Sequence, residues 1–140
     1  MEADQVTKII EHLKKDLEKI YPDMSAEMPV DPSPDSIAKV KKMAAVASSN
    51  SMALALNARA LSQYIKQREA DITLEHVKAK DLMTPKEEHL KALFRSELSE
   101  VYAYSELCNR MLELCKQRVM LAQTFLRNAG QETFGGNLEI

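Results

Sequence analysis

Apolar residues recur along this chain at alternating steps of three and four, the spacing of helices packed on one side. Val6, Ile9, Ile10, Leu13, Leu17 and Ile20 make the first stripe, with Lys14, Lys15, Glu18 and Lys19 on the other side. A helix is predicted from about Ala3 to Tyr21. Pro22 is expected to end it, because proline has no backbone N–H and its ring meets the carbonyl one turn back. Ile37, Val40, Ala44, Ala47, Ser51, Leu54, Ala58, Leu61, Ile65, Arg68 and Ile72 make a second, longer repeat. It predicts a helix that starts at Ser33–Pro34, with serine as N-cap and proline in the first turn, and runs to about Asp71 or beyond. A third stripe from Leu90 through Leu98, Cys108, Met111 and Cys115 to Leu126 predicts a helix from Pro85 to about Asn128. Thr84 would cap it, Glu87 would complete a capping box, and Gly130 would stop it.

The stretch from Lys42 to Leu61 departs from a one-sided pattern. One side is a seam of small residues at Ala44, Ala47, Ser51 and Ala58, where a coiled coil usually carries larger aliphatics. A void is avoided there only if the facing helix comes close. A second apolar set, Val46, Met52, Ala53, Leu56 and Ala60 together with Ala45, lies on the other side. Asn50, Asn57 and Tyr64 form a third stripe, polar and seven residues apart. A helix apolar on more than one face must be covered on more than one face, and a chain of 140 residues has few elements to do it.

The expected fold is therefore all-α: a long antiparallel, coiled-coil-like helical hairpin with a short N-terminal amphipathic helix, assembled into a helical oligomer. Its expected parts are an amphipathic helix at 1–21, a proline-rich linker at 22–35, the hairpin at 36–129 and a tail at 130–140. The first helix packs on its own hairpin or on that of a neighbour.

Composition strengthens this picture. No glycine precedes Gly130, and alanine, leucine, lysine and glutamate abound, as in mostly helical chains. A net charge of −2 and a pI near 5.9 do not suit a general binder of nucleic acid or anionic membranes. Charge is uneven, however. Residues 1–35 carry four basic and nine acidic groups, and residues 36–80 eight basic and three acidic. Lys39, Lys41, Lys42, Lys66 and Arg68 belong to that basic 39–80 segment and are the candidate nucleic-acid contacts of an alternative reading. Its plainer account is a solvated face, or attraction to the acidic N-terminal arm.

Candidate chemistry is sparse. His12, His76 and His89 have no histidine or cysteine three or four residues away, so no metal site is expected. All glycine lies at the C-terminus, which leaves no phosphate-binding loop, and Ser48, Ser49 and Ser51 have no base at helical spacing. Cys108 and Cys115 sit seven residues apart on one helix, about 10 Å at 1.5 Å per residue, too far for a disulfide. Reduced core cysteines suit a cytoplasmic protein. The expectation is a non-enzymatic scaffold or adaptor without catalytic residues, cofactor or metal, acting through self-association or an obligate protein partner. The intramolecular seam would be Ala44, Ala47, Ser51 and Ala58, and the oligomer or partner interface Val46, Met52, Ala53, Leu56 and Ala60. A nucleic-acid-binding accessory protein is the main alternative, and a chaperone-like holder of a partner helix the further one. No membrane contact is expected.

Overall fold

A computed structural model describes residues 3–80 and 87–130, and among these residues there are three α-helices: α1 (Ala3–Ser25), α2 (Pro34–Lys80) and α3 (Glu87–Asn128). The start of α2 follows from its cap. The Ser36 N–H donates to the Ser33 hydroxyl at 3.2 Å, and the Ile37 N–H to the Ser33 carbonyl at 2.9 Å. Pro34 occupies the first turn, where the missing N–H has no helical partner to lose. At the far end of α3, Gly130 adopts φ of 81°, and its N–H bonds the Arg127 carbonyl at 3.0 Å. That left-handed backbone favours glycine and stops the helix. Thr84 and Pro85, the expected start of α3, lie outside the described residues, as does the tail beyond Gly130.

One expected boundary is corrected. Pro22 does not end α1, which continues one turn to Ser25. A proline inside a helix costs about 3 kcal/mol, and several contacts offset that here. Met24, one turn short of the core without this extension, packs against the main hydrophobic cluster. The Ser25 hydroxyl donates back to the Tyr21 carbonyl at 2.9 Å, and the Arg118 guanidinium donates to the Met24 carbonyl at 2.9 Å. The linker is correspondingly shorter, running from 26 to 33. α2 runs on to Lys80, past Asp71 as its pattern allowed, and takes in most of the stretch between the second and third stripes.

α2 and α3 pack along nearly their whole length. Val40 and Ala44 share a buried cluster with Ala122 and Leu126, Leu54 meets Cys108, and Arg68 meets Glu97. Partners descend along α3 as they ascend along α2, so the two helices run in opposite directions. Every member of the second repeat is buried or half-buried, with Val40, Ala44, Ala47, Leu54 and Leu61 wholly inaccessible. The α3 solvent stripe at Ser99, Glu106, Arg110, Glu113, Gln117, Thr124 and Arg127 is exposed throughout.

α1 lies across both long helices of its own chain. Val6, Ile10, Leu13 and Ile20 are buried in a core with Leu54, Leu61, Tyr64, Val101, Met111 and Cys115. It meets both ends of the Asn50–Asn57–Tyr64 stripe of α2. Asn50 donates to the Asp23 carboxylate at 3.4 Å, and Tyr64 is buried in the shared core. The polar stripe is therefore the place where a third helix docks.

Candidate functional site

Leu54 and Leu56 are two residues apart, about 200° around an α-helix. The first is inaccessible to solvent, and the second is 69 % exposed. Met52, one turn before Leu56 on the same side, is 71 % exposed. Ala45, Ser49, Ala53 and Arg59 are exposed around them, while Val46 and Ala60 are half-buried. The outer side of α2 thus presents an apolar strip that neither α1 nor α3 covers. Of the five residues expected at an interface, Met52, Ala53 and Leu56 stand open. Val46 lies one turn before Asn50, toward the side where α1 docks.

Behind this strip the helix is held stiffly. The Cys108 thiol donates to the Leu54 carbonyl at 3.1 Å, so α3 reaches the backbone of α2 itself. Small neighbours favour that approach, and Ala47 two turns before and Ala58 one turn after supply them. Burial pushes the Cys108 thiol up to about 11, and burial, then the Asp23 carboxylate, raises Cys115. Both are free and buried, and raised thiols are poor nucleophiles. Cys115 instead donates to the Met24 sulfur at 3.4 Å.

Polar groups brought together between helices serve packing. Arg68 forks onto Glu97, with Nη2 at 2.8 Å from one carboxylate oxygen and Nε on the other, and its Nη1 meets Glu75 at 3.1 Å. These carboxylates hold the Arg68 guanidinium above its ordinary range, and Arg68 in turn holds the Glu97 carboxyl below its own. Arg68, a candidate nucleic-acid contact, is thus engaged within the chain. Lys39, Lys41, Lys42 and Lys66 are exposed, but Lys39 and Lys41 flank buried Val40 and leave α2 on different sides. The Tyr102 hydroxyl donates to Glu69, and burial, then that carboxylate, raises its ionisation above the usual phenol range. Arg118 is half-buried beside α1. One nitrogen holds the Met24 carbonyl, while Nε and Nη2 have no partner among the described residues.

Three features escaped the periodicity argument. Leu107, Leu114 and Leu121 repeat every seven residues along α3 and stand 39, 47 and 59 % exposed. They border the core stripe so closely that spacing alone merges them with it. His76 and His89, each without a local partner, meet across α2 and α3 with ring centres 4.6 Å apart. The grip of Arg118 on the end of α1 joins residues 94 apart in sequence. Only the leucine heptad was available to a reader of the sequence.

Among the described residues, no group of three or more histidine, cysteine, aspartate or glutamate side chains is placed to hold a metal ion. No helix among the described residues is long and apolar enough to cross a membrane. Comparison with models of known families, with curated proteins and with solved structures finds no match for the chain.

Proposed function

We propose that this protein is a non-enzymatic assembly or adaptor protein that works by packing a helix against the outer side of α2. The observation that carries the reading is the exposure of Met52 and Leu56, 71 and 69 %, on a helix whose opposite side is fixed by α3 and whose flank is fixed by α1. A strip of this kind on a preformed helix is a docking surface at small entropic cost, since little has to be ordered on binding. In this reading α2 and α3 are the arms of a coiled-coil-like hairpin that serves as a rigid rod, and α1 braces the rod. The buried, free thiols of Cys108 and Cys115 fit work in a reducing, cytoplasmic setting.

Leu56→Asp tests it. The side chain lies in solvent, so the variant is expected to keep the helix content and melting temperature of the wild type. It should lose the higher solution mass, or the co-purifying protein, that the wild type shows. Light scattering and affinity purification of both forms give the answer. A wild type that is monomeric and purifies alone, with Leu56→Asp indistinguishable from it, overturns the reading.

A further inference from the structure

From Ser36 to Arg68, α2 contains no aspartate or glutamate. Between Lys42 and Arg59 it contains no charged residue of either sign. That neutral span covers about 24 Å of helix at 1.5 Å per residue. It holds Ala45, Ser49, Met52, Ala53 and Leu56 on its open side, with Lys42 at one end and Arg59, then Lys66, at the other. All three cations are exposed and form no ion pair among the described residues. The surface is an apolar centre between two basic ends.

We infer that this face takes an acidic amphipathic helix of another protein, with an apolar stripe of about four turns and carboxylates at both ends that meet Lys42 and Arg59. The inference rests on the assembly reading and names the partner's chemistry. Charge complementarity selects the occupant. A second copy docked through the same face about a two-fold axis would set this surface against itself. With the two neutral spans laid on one another, Lys42 of one copy meets Arg59 of the other in the antiparallel pair, or its own counterpart in the parallel one, and like-charge juxtaposition suppresses association. An amphipathic helix laid along an apolar strip is a common mode of recognition, and acidic ends supply the missing sign. Phosphate tracking fits poorly, because the strip has no cation over its central four turns and backbone recognition needs them closely spaced. A lipid surface fits poorly too, since the strip lacks the aromatic and bulky residues of interfacial helices.

The test uses the full-length protein and two fluorescent synthetic helices. Both carry the same central leucine stripe; one has glutamates at both ends and the other lysines. At low salt the glutamate-ended helix should bind at least about tenfold more tightly, a preference that fades as salt is raised. Leu56→Asp should abolish binding. Lys42→Glu combined with Arg59→Glu should reverse the preference while leaving the fold intact by circular dichroism, because both side chains are exposed. Equal affinity for the two helices, or tighter binding of the lysine-ended one, overturns the inference. So does a wild-type homodimer that Leu56→Asp dissociates, although the assembly reading then stands. Binding of duplex nucleic acid, or of anionic vesicles, that Leu56→Asp or the double charge reversal removes also overturns it. If neither helix binds and Leu56→Asp changes nothing in mass or partners, both readings fall together.

Discussion

Cys108 places a hydrogen-bonding group against the backbone of α2, and its burial has a measurable consequence. The thiol is raised from its ordinary value of 9.0 to about 11 by loss of water, and bonding near the Ala58 backbone opposes this only in part. A raised thiol stays neutral in the folded protein after it has ionised in the unfolded chain. Its stabilisation is complete below about pH 9 and is lost as pH rises toward 11. Between pH 8 and pH 10 the site should lose about 1 kcal/mol. Cys108→Ala should therefore show a smaller drop in urea-unfolding free energy over that interval than the wild type, even though it starts less stable. An identical drop in both would mean that the thiol ionises as freely in the fold as outside it. Tyr102, raised in the same direction, contributes to the background shared by both proteins.

At the scale of the helix, the small residues of α2 set how closely α3 approaches. Ala44 and Ala47 are wholly buried, and neither leaves room for a longer side chain unless the backbones part. Ala47→Leu is expected to destabilise the protein by about 1–3 kcal/mol through overpacking. Leucine is nearly as good a helix former as alanine, so propensity would not account for the loss. Thermal melting measures it, with Ala45→Leu on the exposed side as the control expected to stay within about 0.5 kcal/mol of wild type. An Ala47→Leu protein as stable as the wild type would show that the seam has space to spare. This seam was legible in the sequence because a period of three and four over eleven positions, Ile37 to Ile72, is hard to produce by accident. The α1 boundary was not legible from Pro22 alone. What carries the helix past the proline is the contact of Met24 with the core and the Arg118 bond to its carbonyl, both made by α3 residues far along the chain.

For the whole molecule, the legible part was the all-α class, three helices with long second and third members. The arrangement of α1 was open, because an amphipathic stripe says that a helix docks but not where. Asn50, Asn57 and Tyr64 look like a register-fixing stripe for a coiled-coil partner, and the structure uses them as the bed for α1. The outer strip was visible as an apolar set in excess of what one hairpin covers. Its meaning depended on knowing which of its members α1 shields, and Val46 and Ala60 proved half-covered while Met52 and Leu56 did not. His76 and His89 illustrate the general limit. Each is unremarkable in its own helix, and their contact exists only after α2 and α3 have been brought side by side.

The antiparallel packing of α2 on α3 also ranks the contacts by the length of chain each one closes. Arg68 and Glu97 are 29 residues apart, Leu54 and Cys108 are 54, and Met24 and Arg118 are 94. Loop-closure entropy makes the last of these about 1 kcal/mol harder to form from an open chain than the first. On loop-closure grounds the helices are expected to zip from the end near Arg68 and Glu97 toward the chain termini, each turn shortening the loop left for the next. The cluster of Val40, Ala44, Ala122 and Leu126 closes late, and it is separate from the larger core that holds α1. What closes last with few contacts opens first. Amide hydrogens around Ala44 and Ala122 should exchange through a local opening well below the global unfolding free energy, while those around Leu61 and Leu98 should exchange only with it. Equal protection at the two ends would show that α2 and α3 open as one piece. With unequal protection, Met52 and Leu56 stand between a latch that breathes and a base that holds, and a helix docked across them would slow the breathing as it binds.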